Sequence, residues 1–276
     1  MGLRINTNIA SQTVQKNLRQ VSEEGQSSLE KLSSGKRITK SADDAAGLAI
    51  SKNLEATTKG LRQATRNAND GISLVQTAEG GLNETSNILT RLRELTVQAA
   101  SDTIGDSERG FLDKEYQQLT TEVDRIAQST TFNGSNLLNG EGEAKDIQVG
   151  AYDGEQNRIT FDSSGTNATS DSIGIASTSV ASKDDALGSM SQIDSAIEMV
   201  SGQRADLGSI QSRLQSTVSN LEVQALNQDA ARSVIEDVDV AAESAKMASS
   251  NVIKQAGVAT LAQANSLPNA ALRLVG

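Results

Sequence analysis

A strict seven-residue repeat of apolar residues runs through the segment from Ser41 to about Ala100. The repeat positions are Leu54, Leu61, Ala68, Val75, Leu82 and Leu89, and the apolar positions between them are Ile72, Ala78 and Leu92. This spacing is typical of a helix whose apolar seam packs lengthwise against another helix. Ser41 and Asp44 fit a capping box at its start. The sequence therefore predicts a helix of about 55 residues, on the order of 80 Å long.

A second repeat with the same step occupies the C-terminal half of the chain. It consists of Ile193, Val200, Leu207, Leu214 and Leu221, with Ile197, Val218 and Ala225 at alternate positions. Ser182 and Asp185 form a second capping-box pattern in front of it. Two matching seams satisfy each other most simply as an antiparallel pair. We therefore expect a mainly α fold in which long antiparallel coiled-coil helices from both termini form a rod, with a small central β-hairpin.

The residues between the two repeats do not follow the seven-residue pattern. A shorter helix is predicted from about Asp106 to Ser129, and the Asn-Gly pair within residues 132–135 predicts a turn. Alternating apolar residues then indicate the hairpin; they are Ile147, Val149, Ala151, Ile159 and Phe161. Residues 162–181, rich in Ser, Thr, Gly and Asn, are predicted to be a surface loop. Any conventional core is expected in this centre because it holds all five aromatic residues, Phe111, Tyr116, Phe132, Tyr152 and Phe161.

Composition excludes most of the chemistry that an enzyme needs. The 276 residues include no His, Cys or Trp, which removes the commonest general base, the thiol nucleophile and most transition-metal ligand sets. The acidic pairs Asp43-Asp44 and Asp184-Asp185 lie where helices begin and are interpreted as helix caps. We therefore predict a non-enzymatic protein without a cofactor or a metal.

Charge is distributed unevenly along the chain. Residues 1–40 carry seven basic and three acidic side chains, whereas residues 101–200 carry six basic and 18 acidic ones. The basic end lacks interleaved aromatic residues and Gly-rich phosphate cradles, so a solvated helix face is favoured over nucleic-acid binding. The N-terminus lacks the apolar core of a cleavable secretion signal, and no stretch reaches the roughly 20 apolar residues of a membrane span. We expect neither nucleic acid as a partner nor membrane insertion.

The two ends of the chain are thinly apolar. The apolar and small residues there form stripes that bury little area within one chain. Burial contributes about 25 cal/mol per Å² of stabilisation, which hardly offsets an ordering cost of about 1–2 kcal/mol per residue. The ends therefore need neighbours from other copies, which predicts self-assembly. The residues predicted to make these contacts are Ile5, Ile9, Val14, Leu18, Val21, Leu32, Ala245, Val252, Ala256 and Ala259.

Both ends also carry recognisable motifs. They are LRINTNIASQTVQKNL, LSSGKRITKSADDAAGLAISKNL, RLRELTVQAASDT and TFNGSNLLNG on the N-terminal side, and VIEDVDVAAESAKMASSNVIKQAGVATLAQANSLPNAALRLV on the C-terminal side. These motifs resemble the constant regions of bacterial flagellin, in the right order and over roughly the first 140 and last 90 residues. Val240 stands where that family often has an aromatic residue. Only residues 141–181 take the place of the variable outer domains of many flagellins, so the chain resembles a minimal form lacking them.

The resemblance implies a structural subunit that polymerises into the bacterial flagellar filament for motility. It also implies a secreted, extracellular protein whose partners are an export chaperone, the type III export gate, the filament cap and the hook-junction proteins. On this interpretation residues 1–40 and 236–276 are the two halves of the filament-core helical domain. The rod-like domain then comprises residues 41–140, residues 141–181 with the hairpin and surface loop, and residues 182–235.

The same resemblance implies recognition of the monomer by a toll-like receptor of animals. The matching positions in RLRELTVQ are Arg91, Leu95 and Gln98, with Glu115 on the next predicted helix. The residues alone leave two further interpretations open. Leu95 fits a contact between subunits, and Arg91 with Glu115 fits an exposed ion pair worth about 0–1 kcal/mol.

The Ser/Thr-rich loop is a candidate region for glycosylation. The candidate residues are Ser163, Ser164, Thr166, Thr169, Ser170 and Ser172. Asn167-Ala168-Thr169 also matches an N-glycosylation triplet, for which a plain polar loop is the favoured interpretation because such triplets are frequent by chance.

Two alternative functions stay open. The first is a hook-filament junction protein of the flagellum, a class that shares weak terminal similarity with flagellin but is expected to match RLRELTVQ and QAGVATLAQAN poorly. The second is a membrane-binding amphipathic helical protein that uses the basic residues 1–40. This second alternative predicts liposome binding by the monomer, whereas a filament subunit predicts seeded polymerisation.

Overall fold

Long helices account for most of the chain. The computed structural model describes the backbone of residues 7–275 and the side chains of residues 7–266. Its helices are α1 (Ile9–Ser34), α2 (Ala45–Ala99), α3 (Asp106–Ser129), α4 (Lys183–Glu236) and α5 (Val240–Val275). Between α3 and α4 lie the short strands β1 (Thr131–Phe132), β2 (Ser135–Asn136), β3 (Lys145–Gln148) and β4 (Arg158–Phe161). The predicted fold class, mainly α with a small β-hairpin, is confirmed.

Local capping chemistry sets where the long helices begin. Ser182 caps α4 as predicted, because its hydroxyl accepts from the Asp185 amide at 3.1 Å and donates to the Asp185 carboxylate at 2.6 Å. The predicted cap at Ser41 is wrong. The chain forms a turn there, and α2 begins directly after Asp44, whose carboxylate accepts from the Gly47 amide at 2.8 Å.

A buried arginine closes the C-terminal end of α2. Arg109 of α3 donates from Nε to the Ala99 carbonyl at 2.8 Å and from a terminal nitrogen to the Ser101 carbonyl at 3.0 Å. Asp106 binds the same guanidinium at 2.7 Å. A cation at this end of a helix offsets the negative pole of the helix dipole. These contacts hold the turn between α2 and α3 in place.

The chain divides into two compact units. Unit 1 consists of residues 1–56 and 227–276, and unit 2 consists of residues 57–226. The divisions lie within α2 and α4, which continue through them without a break, and none coincides with a predicted region boundary. The functional roles assigned to the five predicted regions stay predictions.

Unit 2 is an antiparallel helical bundle with an extensive core. Arg93 of α2 binds Asp194 of α4 at 2.6 Å, and Glu79 lies 3.8 Å from Arg204, so the two helices run in opposite directions. The predicted seams are confirmed. Every repeat position of α4, and every one of α2 after Leu54, is buried.

Three of the five aromatic residues contribute to the core of unit 2. Tyr116 of α3 and Phe161 of β4 are fully buried, and Phe132 packs against the core from its edge. Phe111 and Tyr152 lie outside the core, since they are 66% and 65% exposed. Aliphatic side chains of α2, α3 and α4 supply most of the remaining core. Helix packing therefore stabilises this unit more than aromatic contacts do.

Two small antiparallel sheets follow α3. Strands β1 and β2 are joined by Asn133 and Gly134, whose φ angles of 49° and 76° are those of an Asn-Gly hairpin turn. Strand β3 pairs with β4, which confirms the predicted hairpin. Asn67 of α2 donates to the Gln148 carbonyl at 3.1 Å and ties this hairpin to the helix.

The predicted surface loop at residues 162–181 is wrong for a large part of its length. Its buried apolar residues are Ala168, Ile173, Ile175 and Val180, and all four belong to the core of unit 2. Carboxylates of α3 hold the backbone of this segment. Asp113 accepts from the Val180 amide at 2.9 Å, and Asp124 accepts from the Ser170 amide at 2.7 Å. Buried backbone donors thus find their acceptors on a helix that is distant in sequence.

Candidate self-assembly surface

The predicted self-assembly residues that the structure describes belong to unit 1, on the antiparallel pair of α1 and α5. The two helices meet along positions spaced seven residues apart, namely Ser11, Leu18 and Gly25 of α1 and Ser250, Gly257 and Ala264 of α5. A Cβ atom added to Gly257 would lie 2.9 Å from Leu18 Cδ2, so the helices approach closely there.

Hydrogen bonds fix the register of this pair near the start of α1. Asn8 caps α1 through its side-chain oxygen, which accepts from the Ser11 amide at 3.0 Å. The Asn8 side-chain nitrogen donates to the Ala264 carbonyl at 2.8 Å, and the Ser11 hydroxyl donates to the Asn265 side chain at 2.9 Å. A shift of one helix along the other would break these contacts, so they specify one antiparallel alignment.

The seam between α1 and α5 buries few large side chains. Its most deeply buried residues are small: Ser11, Ser28, Ser250 and Ala264. The Ser28 hydroxyl is buried without a hydrogen-bond partner among the described residues. At about 25 cal/mol per Å² of apolar area, such a seam contributes little stabilisation within one chain.

The predicted assembly residues fall into two groups. One group is half-buried at or beside the seam and consists of Val14, Leu18, Val21 and Leu32. The other is exposed and consists of Ile9, Ala245, Val252, Ala256 and Ala259. Ile5 lies outside the described residues. The predicted α5 residues therefore lie outside the seam, because α5 turns Ser250, Gly257 and Ala264 towards its partner helix.

An open apolar cleft lies between α1 and α5. Its volume is about 280 Å³, and its apolar lining includes Val14, Leu18 and Val21 of α1 and Ile253, Ala256 and Gly257 of α5. Three exposed apolar residues of α5 were not among the predicted assembly residues: Ile253, which is 51% exposed, Val240 and Val258. The seven-residue spacing of Ser250, Gly257 and Ala264 is the sequence signal that could have predicted which face of α5 packs on α1 and which face is exposed.

The predicted receptor patch is only partly on the surface. Arg91 donates to Glu115 at 2.8 Å and to Glu94 at 2.9 Å, and these hydrogen bonds raise the pKa of Arg91 above its ordinary value. Gln98 is exposed. Leu95 is fully buried, so its assignment to a surface patch or to a contact between subunits is wrong. Helix α2 packs against both α3 and α4, so it buries a wider stripe than a two-helix seam does.

Half of the predicted glycosylation residues are inaccessible in this fold. The buried ones are Ser163, Thr166 and Ser170, and the others are the exposed Ser164 and Ser172 and the half-buried Thr169. The buried hydroxyls form hydrogen bonds within unit 2; that of Ser170 donates to the Asp124 carboxylate at 2.7 Å. The three buried residues are therefore wrong as sites on the folded chain.

The described part of the chain contains neither a metal-binding cluster of acidic, His or Cys residues nor a helix that could cross a membrane. No group of three or more His, Cys, Asp or Glu residues in that part is placed to hold a metal ion. None of its helices combines the length and the apolar character that crossing a bilayer requires.

The chain is similar to known proteins along its whole length. The family model for the bacterial flagellin N-terminal helical region matches residues 5–143, and that for the bacterial flagellin C-terminal helical region matches residues 190–275. A flagellin of Halalkalibacterium halodurans is 41% identical over 271 residues, covering 98% of this chain and 99% of the relative.

Solved structures share the fold. The crystal structure of Bacillus cereus flagellin is 33% identical, covers 60% of this chain and 94% of that chain, and has a TM-score of 0.50. A flagellar hook-associated protein of Vibrio parahaemolyticus covers 70% of this chain and 99% of that chain with a TM-score of 0.57, and at 16% identity it shows the fold alone. Because both family regions and a full-length relative match, the chain belongs to the bacterial flagellin family.

Proposed function

We propose that this chain is a structural subunit that polymerises through its terminal helices into the bacterial flagellar filament, for motility. Membership of the flagellin family supports this function. The observation that carries the proposal is the apolar surface of the α1–α5 pair. Ile9 is 57% exposed and Val252 is 65% exposed, and Ile253 and Val258 are each more than half exposed.

An apolar surface of this kind favours coverage by further copies. Exposed apolar patches mark interaction sites in water-soluble proteins. The seam within one chain buries mainly small side chains, so most of the available apolar stabilisation lies outside it. Helices of neighbouring copies that cover Val252 and the cleft beside Ala256 would stabilise the pair by mass action. Unit 2 has an extensive core of its own, so we assign the main assembly contacts to unit 1.

The filament function determines the other partners. We infer passage through the type III export gate with an export chaperone, growth beneath the filament cap on the hook-junction proteins, and a secreted, extracellular location. Catalysis, nucleic-acid binding and membrane insertion are not part of the proposed function. Full-length identity of 41% to a flagellin supports a filament subunit over a hook-filament junction protein. No observation favours a membrane-binding amphipathic protein.

Seeded polymerisation tests the proposal. Purified chain is mixed with filament fragments at pH 7, and growth is measured by sedimentation and electron microscopy. Covering Val252, which is 65% exposed, contributes about 1–2 kcal/mol, and a carboxylate in its place adds a desolvation cost. Val252→Asp should therefore raise the critical concentration at least about tenfold, since 1.4 kcal/mol is a factor of ten.

A matched control separates the terminal helices from the rest of the chain. Val223 of α4 is 59% exposed in unit 2. Val223→Asp should polymerise at a lower critical concentration than Val252→Asp. Assembly through the terminal helices is refuted if Val252→Asp grows like the parent, or if the control is impaired to the same extent.

Receptor recognition is a second proposed role, and it rests on the exposed part of the predicted patch. The ion pair of Arg91 and Glu115 and the nearby Gln98 are accessible on unit 2 of the free chain. Arg91→Ala should reduce signalling by monomer in cells that carry the toll-like receptor. Arg125→Ala, at another exposed arginine in an ion pair, is the matched control. Signalling by Arg91→Ala as strong as that of the parent would refute this role.

Glycosylation, where it occurs on the folded chain, is proposed at the exposed hydroxyls of Ser164 and Ser172. Mass spectrometry of protein isolated from the producing bacterium tests this assignment. A glycan located on Ser163 or Thr166 would contradict it, because both hydroxyls are buried.

A further inference from the structure

Two breaks in the helices of unit 1 lie side by side and bind each other. One is the turn after α1, and the other is the short link between α4 and α5. The Arg37 amide donates to the Glu236 carbonyl at 2.6 Å, and the Val238 amide donates to the Gly35 carbonyl at 3.0 Å. Residues 35–38 and 235–238 thus form a small antiparallel junction at the base of the α1–α5 pair.

The side chain of Glu236 lies inside this junction. It is the only buried acidic residue in the part of the chain whose side chains are described, with 5% of its surface exposed. One carboxylate oxygen forms an ion pair with Lys36 Nζ, and the other accepts a hydrogen bond from the Ser51 hydroxyl. The carboxylate therefore joins three segments: the turn after α1, the start of α2 and the end of α4.

The charged side chains that act on this carboxylate are Lys36 and Lys52, and both favour its ionised form. Lys36 approaches from the turn, and Lys52 lies next to Ser51 on α2 and pairs with Glu55 at 2.8 Å. Arg232 lies one turn earlier on α4 and pairs with Asp229 at 3.2 Å. Hydrogen bonds from Lys36, and next from Ser51, hold the pKa of Glu236 below its ordinary value, and burial opposes them only in part.

We propose that Glu236 is an acid-sensitive latch, in which protonation of its carboxylate opens the junction of residues 35–38 with 235–238 and loosens the base of the terminal helix pair. A neutral carboxyl group no longer attracts the Lys36 ammonium, which is half exposed and turns to water. The carboxyl group is left buried with a single hydrogen-bond partner, a state that is destabilising. The two backbone hydrogen bonds alone then hold the junction.

The direction of the pH dependence follows from the lowered pKa. A carboxylate whose pKa is lower in the folded state than in the unfolded chain stabilises the fold fully above the unfolded value, about 4.3 for Glu. That contribution is lost as the pH falls through the folded pKa. The latch is therefore closed at neutral pH and opens in acid.

Hydrogen exchange of dilute monomer tests the latch without any polymer. Protection factors of peptides that cover residues 35–38 and 235–238 are measured from neutral to acid pH. In the parent chain, protection should fall in acid, at and below the pH where Glu236 titrates. Glu236→Gln should lower protection at least about tenfold already at pH 7, and that lower protection should not change further with acid.

Glu30→Gln is the matched control, because Glu30 pairs with Lys40 at 2.7 Å in the same unit but is 47% exposed. It should keep the protection and the acid transition of the parent. Full protection of Glu236→Gln at pH 7 would overturn the latch. If Glu236→Gln fails to fold, the pH at which the Glu236 carboxyl titrates is measured in the parent by carbon-13 NMR. A titration midpoint that differs from the midpoint of the loss of protection also overturns the latch.

A consequence for the polymer rests on the proposed filament function. Filaments of a Glu236→Gln variant that folds should be less stable than parent filaments at pH 7, and the difference should disappear in acid, where the parent latch is also open. The two proposals fail separately: absence of seeded growth at pH 7 refutes the filament function, whereas unchanged exchange in the monomer refutes the latch.

Discussion

Two adjacent glycines in α2 provide a sharp test of the packing in unit 2. A Cβ atom added to Gly80 meets no heavy atom within 4 Å. At Gly81 the same atom would lie 2.6 Å from Leu138 Cδ1 and 2.7 Å from Thr130 Oγ1. Neither neighbour is free to move, since Leu138 is fully buried and Thr130 Oγ1 donates to the Ile126 carbonyl at 2.7 Å. We therefore expect opposite effects from one substitution at neighbouring positions.

The expected magnitudes follow from these contacts. Gly80→Ala gains about 0.8–1 kcal/mol of helix propensity and creates no clash. Gly81→Ala has the same gain, but overpacking costs about 1–3 kcal/mol, so its net effect lies between about zero and 2 kcal/mol of destabilisation. The two variants should differ by about 1–3 kcal/mol. At about 2–4 °C per kcal/mol for a unit of this size, their midpoints should lie roughly 2–12 °C apart.

Tyrosine signals report on unit 2 within the intact chain. Tyr116 and Tyr152 both lie in that unit, and the chain has no Trp. Near-ultraviolet circular dichroism during thermal unfolding gives the midpoint of each variant and of the parent at one scan rate. Equal upward shifts for Gly80→Ala and Gly81→Ala would refute the close approach of Leu138 to α2.

Three further predictions concern the core, the segment after β4 and the chain ends. Leu207→Ala, at a fully buried position of α4, should lower the unfolding free energy of unit 2 by about 2–5 kcal/mol, whereas Leu226→Ala, 72% exposed on the same helix, should stay within about 0.5 kcal/mol. Urea titration followed by tyrosine fluorescence measures both, and equal effects would contradict the assigned core. Asp113→Ala leaves the buried Val180 amide without its acceptor and should cost about 1–3 kcal/mol. Amide exchange at Val180 should be faster in this variant and unchanged in Asp171→Ala, an exposed control; slow exchange in both would mean that α3 does not hold the segment. Removal of about 30 residues from either end should abolish seeded polymerisation while the tyrosine signal of unit 2 persists, because that unit has a core of its own. Seeded growth of either truncated chain would count against assembly through the ends.

Features with a local cause could be predicted from the sequence. The seams of α2 and α4 follow from one apolar residue every seven positions, because that period keeps the seam on one side of a helix. Ser182 caps α4 because its partner, Asp185, lies one turn further along the same chain. The turn at Asn133 and Gly134 likewise follows from the backbone preferences of those two residues.

Burial that depends on a third element could not be predicted in this way. Leu95 was assigned to a surface patch from the resemblance of its motif, which does not reveal that α2 packs against both α3 and α4. Val180 was placed in an exposed loop because composition does not reveal that Asp113, 67 positions away, accepts a hydrogen bond from its amide. The predicted cap at Ser41 failed because the side chain of Asp44 accepts from the Gly47 amide in the first turn of α2 instead.

The candidate assembly surface was predictable in part from the sequence and in part only from the tertiary structure. The sequence indicated that the ends are thinly apolar, and the exposed Ile9 and Val252 agree with that expectation. Only the structure revealed that α5 turns Ser250 and Gly257 towards α1 and leaves Ile253 beside an open cleft. Several heptad frames are possible on a helix rich in Ala, so small residues alone do not select the face that packs.

The sequence by itself determined the helical architecture, the antiparallel pairing of its two halves and the family, because periodicity, capping and motifs are properties of neighbouring residues. The tertiary structure decided which of these residues are accessible. It buried Leu95 and Glu236 and left Val252 exposed. Accessibility depends on elements that are far apart in sequence and meet only in the folded chain, so no local pattern encodes it.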